Sequence, residues 1–346
     1  MTVLATHAAR DSAVRHPVTT RIIWFAVVLG LLAVLCVASV SFGVRDVSPA
    51  EITAGLRGDT STIASAAVAA RIPRAVLAVL VGAALALAGA AMQAITRNPL
   101  ADPGILGVSG GASLAVVIGI AYFSLTDPYV TMAVAIVGSA AAAVLVYTVG
   151  SLGAEGATPL TLALAGAAVT AALMSLVSAV LLPRTDVMES FRFWQIGGVG
   201  GANWDRIGVV TPVLLIGAFI VLASARGMNS LTLGDEVATS LGERVTRTRL
   251  IAAAGAVILC GAATAVAGPI AFVGLVIPHM CRLLVGPDHR WLIPFAAVAG
   301  AALLVASDVI GRLVSRPSEI EVGIITALVG APVFIAIVRR QRVRGL

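Results

Sequence analysis

At 346 residues the chain is 59% hydrophobic and only 12% charged, with a mean hydropathy of +1.03 and a net charge of +6. That balance excludes a soluble globular domain and marks an all-α integral membrane protein. All 23 basic residues are arginine, which excludes a phosphate-binding loop with its lysine and a Schiff-base lysine, so any ATP hydrolysis must belong to another chain.

An N-terminal tail over 1–21 precedes a polytopic region over 22–338, and a basic tail follows at 339–346. Apolar runs long enough to cross a bilayer core of about 20 residues fall at 22–42, 75–95, 104–123, 129–149, 159–182, 207–225, 249–268, 270–285, 291–310 and 321–338. These predict ten transmembrane helices, of which the eighth is the shortest. The first run exceeds a signal-peptide core of roughly 7–15 residues and reads as a retained helix. Cys36, Cys260 and Cys281 all lie in apolar stretches, spaced for neither a metal site nor a disulfide framework.

The connection at 43–74 ends in R-I-P-R, which puts Arg71 and Arg74 at the mouth of the second span. Between the second and third spans the chain reads Q-A-I-T-R-N-P-L-A-D-P-G-I-L-G-V-S-G-G over 93–111. A lipid-facing helix cannot carry Asn98, Pro99, Asp102 and Pro103 so close together; the backbone must break where protein or a water-filled cavity satisfies it. The connection at 183–206 holds Phe191, Phe193, Trp194 and Trp204 and predicts a short interfacial helix. The connection at 228–249 predicts a compact amphipathic helix that opens at Asp235, carries Val237, Ala238 and Leu241 along one side, and is bounded by Gly234 and Gly242. The eighth span is broken by G-P-I-A-F-V-G-L-V-I-P-H at 268–279, an echo of N-P-L-A-D-P-G-I-L-G-V at 98–108. One break joins its helices at one face and the other at the opposite face, as an inverted repeat would, and such repeats place a pathway at their interface.

With both termini inside, fourteen arginines fall on the cytoplasmic side and nine on the other, in line with the positive-inside bias. The pI of about 10.2 therefore reflects orientation signals; the arginines are scattered rather than clustered with aromatics, which argues against nucleic acid. Asp308 lies four residues before Arg312, a helical spacing for a local ion pair. His279 alone is a poor metal site. Ser109 in G-V-S-G, with His279, would suit an intramembrane serine protease only if the two came within hydrogen-bond reach; Gly107 and Gly111 already form a helix-packing pattern. No span carries a carboxylate near its middle, which argues against a secondary transporter.

The segments 71–108, L-G-D-E-V-A-T-S-L-G at 233–242, G-P-I-A-F-V-G-L-V-I-P-H-M-C-R-L-L-V-G-P-D-H-R-W at 268–291 and G-A-P-V-F-I at 330–335 resemble the FecCD family, from about residue 20 to the C terminus. The resemblance implies a type II ABC importer permease with broken helices in the bacterial plasma membrane, both termini cytoplasmic. It implies pairing with a second permease subunit, identical or paralogous, and with two ATPase subunits that hold ATP and Mg, this chain having no cofactor, metal or catalytic site of its own. It also implies an extracytoplasmic substrate-binding protein docked over Arg71, Arg74 and Arg312. The helix at 235–249 then corresponds to the coupling element, with Gly234, Asp235, Glu236, Ala238, Leu241, Gly242 and Glu243 toward the ATPase. The family's cytoplasmic gate maps to Asn98 and Leu100 and to Thr158, Pro159 and Leu160, the last two apolar where relatives can have hydroxyls. The motif variants are most similar to the ferric-siderophore branch, its catecholate members included; haem and cobalamin are the alternatives.

Overall fold

The computed structural model describes residues 17–152 and 159–344. The described chain is helical throughout: α1 Val18–Ser41, α2 Pro49–Leu56, α3 Ile63–Ile95, a 3-10 turn Pro103–Leu106, α4 Val108–Phe123, α5 Pro128–Ser151, α6 Pro159–Leu181, α7 Thr185–Ile196, α8 Trp204–Ala223, α9 Ala225–Leu231, α10 Asp235–Ser240, α11 Val245–Ala267, α12 Val273–Val285, α13 His289–Val314 and α14 Val322–Arg344. Seven of these are long and apolar enough to cross a membrane, and α4, α12 and part of α14 form three shorter apolar helices. Each of the ten predicted runs lies on one of them. The 13 residues of α12 rise only about 20 Å, less than the roughly 30 Å of a hydrocarbon core.

Local chemistry sets several starts. Ser48 with Glu51, and Thr62 with Ser65, form reciprocal capping boxes at α2 and α3. Asp127, Asn203 and Asp288 cap α5, α8 and α13 through side-chain oxygens. Because the cap at Thr62 begins α3 well before the apolar run, the R-I-P-R tetrapeptide falls inside that helix and not in the connection before it. The face where α1 begins is called proximal below, and the opposite face distal.

α3 is the buried axis of the fold. It packs against α13, α11, α12, α8 and α2, whereas α1 lies at the periphery, with Phe25, Val28, Leu32 and Leu35 half-buried against the core and Ser39 buried. A Cβ at Gly89 would collide with the Gly274 carbonyl, and one at Gly82 with that of Gly300. Glycine therefore lets the backbones of α12 and α13 approach α3.

The two broken segments meet within this core. From Thr96 the chain leaves α3, places Arg97 at a positive φ of 50°, turns through Pro103–Leu106, and enters α4 after Gly107 at φ 68°. The second break precedes α12, with Gly268 and Phe272 at φ 68° and 69°. A Cβ on Gly274 would lie 3.1 Å from Pro103 Cδ and 3.2 Å from Asp102 Oδ2, so the start of α12 rests on the turn that precedes α4. The two breaks therefore touch inside the core, whereas the sequence reading places them at opposite faces.

Gln93 joins the breaks chemically. Pro278 has no N–H, so the Gly274 carbonyl four residues earlier loses its helical donor. The Gln93 Nε2 group donates to Gly274 O at 3.3 Å and to Leu275 O at 3.0 Å, while its Oε1 accepts from Arg282 Nη1 at 2.6 Å.

Candidate functional site: a proximal gate tied to a surface helix

The proximal site is assembled from the end of α3, the first break and the α9–α11 connection. Asn98 Oδ1 accepts the Leu100 N–H at 2.9 Å, and the Ala101 N–H donates to Asn98 O at 3.0 Å, a local turn of the kind asparagine favours. Leu160 is 69% exposed at the start of α6. Of the other predicted gate positions, Thr158 lies outside the described residues, and Pro159 is described only as the first residue of α6. Met92, Ile95, Leu106, Leu162 and Leu250 line a cavity of about 140 Å³. It brings the end of α3, the break and the beginnings of α6 and α11 into one place.

The surface helix differs from its sequence reading in one respect. The segment 235–249 is not a single helix: α10 ends at Ser240 and α11 begins at Val245. Gly234 at φ 103° and Gly242 at φ 83° bound α10, conformations that L side chains rarely adopt. Ala238 is buried, whereas Val237 and Leu241 are exposed, Leu241 by 65%. The expected one-sided stripe is thus divided, one residue anchoring and two facing outward. Glu236 is exposed, and Glu243 accepts a hydrogen bond from the Thr248 hydroxyl across the following turn.

Asp235 connects the first break and the surface helix. Its carboxylate is ion-paired to Arg97, next to Asn98, and to Arg249 of α11 at 2.9 Å. Burial beside the Arg249 charge holds the Arg97 guanidinium below its ordinary range. Arg97 therefore sits in a strained backbone conformation with its charge against the first residue of α10. Sequence reasoning missed this role because positions 97 and 235 are far apart and neither motif names the other.

Asp102, also unassigned from sequence, accepts the Gly104 N–H at 2.8 Å through Oδ1, which caps the 3-10 turn. It lines an open groove of about 540 Å³ along α6, beside Gly104, Gly166, Thr170 and Met174.

At the distal face the three arginines expected to dock a partner are engaged within the chain. Arg71, 7% exposed, donates to the carbonyls of Val40, Ser41 and Arg45 at 3.1, 3.2 and 2.9 Å. Arg312, 2% exposed, donates to Ser39 O, Phe42 O and Ser39 Oγ and pairs with Asp308 at 2.8 Å. The predicted Asp308–Arg312 pair is present, and Arg74 shares it, with Nε and Nη2 each 2.8 Å from Asp308 Oδ1 and Nη1 2.6 Å from Glu319. The network ties the end of α1 to α3 and α13. Docking through Arg71 or Arg312 would require leaving these partners; the Arg74–Glu319 pair is the part that reaches the surface. Nearby, burial pushes the Glu321 carboxyl up against the pull of Arg74.

The distal helix α7 forms where the aromatics predicted an interfacial element. Phe191, however, is buried 5.4 Å from Trp194, ring to ring, and only Trp204 is widely exposed. The side chain of Phe193 lies outside the described residues. The cysteines are unpaired thiols, two of them buried. His279 Nδ1 has no hydrogen-bond partner and the Ser109 carbonyl accepts from Ser113; no Ser109–His279 dyad joins them among the described residues. Those residues also hold no group of three His, Cys, Asp or Glu side chains placed for a metal.

Comparison with known proteins places this architecture. The FecCD transport family matches residues 31–340. The ferric enterobactin transport system permease protein FepD of Escherichia coli (strain K12) is 48% identical over 273 residues, covering 79% of this chain and 81% of that protein. The hemin transport system permease protein HmuU of Yersinia pestis is 41% identical over 277 residues, 79% of this chain and 82% of that protein. The Fe(3+) dicitrate transport system permease protein FecC of Escherichia coli (strain K12) is 36% identical over 337 residues, 95% and 99% of the two chains. Among solved structures, a metal-chelate type ABC transporter in an inward-facing conformation superposes with a TM-score of 0.79 at 27% identity, over 92% of this chain and 99% of that one. With helices of membrane-crossing length and relatives that are non-catalytic permease subunits, the chain belongs to the FecCD transport family of ABC-transporter permeases, multi-pass proteins of the inner membrane.

Proposed function

We propose that this chain moves a ferric-siderophore complex into the cytoplasm, paired with a second permease subunit, driven by two ATPase subunits and loaded by an extracytoplasmic binding protein. The proximal face is then cytoplasmic and the distal face receives the cargo. The observation that carries the proposal is the Arg97–Asp235 pair, which ties a surface helix to the break beside Asn98 and Leu100. Exposed Val237 and Leu241 offer the ATPase an apolar contact, with Gly234 and Gly242 allowing α10 to pivot. When ATP closes the ATPase pair, α10 moves, Arg97 follows, and the Asn98–Leu100 turn leaves the pathway along α6, where Leu160 faces outward. Arg74 with Glu319 presents charge to the binding protein, while Arg71 and Arg312 hold that surface in place. Rim charges of this kind steer encounter more than they add affinity.

The similarity to permeases for ferric enterobactin and siderophores supports the cargo class. Haem and cobalamin permeases at 41% and 42% identity supply the second reading. The test is ATP-dependent uptake into proteoliposomes that contain this chain, its ATPase and its binding protein, offered ferric catecholate siderophore, haem or cobalamin. Uptake of the ferric siderophore alone is expected; uptake of haem or cobalamin instead would replace the cargo, and uptake without ATP would overturn the mechanism.

A further inference from the structure

Where α8, α9 and α13 meet at the proximal face, Leu222, Ala223, Ala225, Arg226, His289 and Arg290 enclose a cavity of about 450 Å³. Neither the Arg226 nor the Arg290 guanidinium has a hydrogen bond or ion pair with the described residues. Asp288, next to Arg290 in sequence, is already occupied: Asn229 Nδ2 donates to it at 2.7 Å, the Arg290 backbone N–H at 3.0 Å, and Arg21 lies at 3.8 Å. His289 is 2% exposed, and its Nδ1 lies 2.9 Å from Asn229 Oδ1. Since the amide nitrogen of Asn229 faces a carboxylate, its Oδ1 is the acceptor and His289 Nδ1 the donor. His289 Nε2 is left buried without a partner. The wall of this cavity thus holds two guanidinia with no hydrogen bond or ion pair of their own, Arg290 being only electrostatically coupled to the occupied Asp288, and a buried ring nitrogen that can accept from a headgroup hydroxyl but not bind the phosphate.

An apolar stripe leads away from it along α8. Leu215, Ile216, Phe219 and Leu222 are exposed and recur at helical spacing on one side, ending at the cavity. We propose that the cavity holds the phosphate headgroup of an anionic phospholipid of the cytoplasmic leaflet, with its acyl chains along this stripe. Basic pockets between membrane helices on the cytoplasmic side suit such headgroups, and each arginine near an anionic surface strengthens attachment several-fold. The stripe favours a lipid over free phosphate, which has no use for it. The assignment rests on the orientation given under Proposed function.

The test is binding of phosphatidylglycerol and phosphatidylcholine to the purified full chain in nonionic detergent, followed by native mass spectrometry, with inorganic phosphate as a third probe. Arg226→Gln and Arg290→Gln should each weaken phosphatidylglycerol binding about 5-fold, and the double variant about 30-fold. Phosphatidylcholine binding and the unfolding temperature should stay unchanged, Arg→Lys at both positions should retain most of the affinity, and Arg247→Gln elsewhere on this face should have no effect. Wild-type phosphatidylglycerol affinity in the double variant would overturn the site, as would equal affinity for the two lipids. Saturable binding of phosphate with no preference for phosphatidylglycerol would do so as well. Transport does not enter this measurement: intact uptake without lipid preference defeats the site alone, and lipid binding without uptake defeats the transport reading alone.

Discussion

At the distal end Arg74 and Arg312 share the buried Asp308, and Arg71 and Arg312 spend their remaining donors on backbone carbonyls at the end of α1. At the proximal end Arg97 and Arg249 meet on a half-exposed Asp235, Arg282 leans on the neutral amide of Gln93, and the Arg226 and Arg290 guanidinia make no hydrogen bond or ion pair among the described residues. The distal arginines complete the fold of one chain. The proximal ones are held loosely enough to move or to accept charge from outside it. Buried charges are tolerated only when fully paired, whereas half-exposed pairs contribute little to stability and are free to exchange.

Breaking the distal network should therefore cost the most. Asp308→Ala leaves the buried Arg312 without a carboxylate and Arg74 with Glu319 alone, an expected loss of about 3–5 kcal/mol, read as a lower unfolding temperature in detergent. Wild-type stability in that variant would show that the network is not what holds α1 to α3 and α13. Between the two ends, Gln93→Leu should cost about 1–3 kcal/mol by stranding the Gly274 carbonyl that Pro278 cannot serve. A neutral result in the same melt would mean that another donor, such as water, reaches that carbonyl. Asp235→Asn should change stability by under about 1 kcal/mol yet lower uptake strongly; the reverse pattern, a large melt shift with normal uptake, would erase the contrast between the two ends.

Much of this architecture is legible in the sequence, because bilayer thickness translates directly into run length. All ten apolar runs coincide with helices; the break at 98–108 falls between α3 and α4, whereas of 268–279 only 268–272 interrupts the helices and Pro278 lies inside α12. What the runs conceal is partnership across long separations. Arg71 and Arg74 interrupt an apolar pattern and so read as a loop end, but Asp308 and the carbonyls after α1 satisfy them inside α3. The short α10 and its end near Gly242 are visible from Asp235 and the flanking glycines, whereas the coupling element implied by the resemblance runs on to 249, across the turn that separates α10 from α11. Arg97 read as one more orientation charge. Its importance comes from Asp235, and no local pattern records that contact.

The central claim is that the pair between Arg97 and Asp235 carries motion from the surface helix to the gate. A double-mutant cycle tests it most directly: Arg97→Gln, Asp235→Asn and the double variant, each reconstituted with the ATPase and binding protein, measured as cargo imported per ATP hydrolysed. The account predicts that each single variant lowers this ratio about 10-fold and that the double variant is no worse than either, because paired residues are strongly non-additive. Independent, multiplying losses, or single variants that import as efficiently as the natural chain, would contradict it.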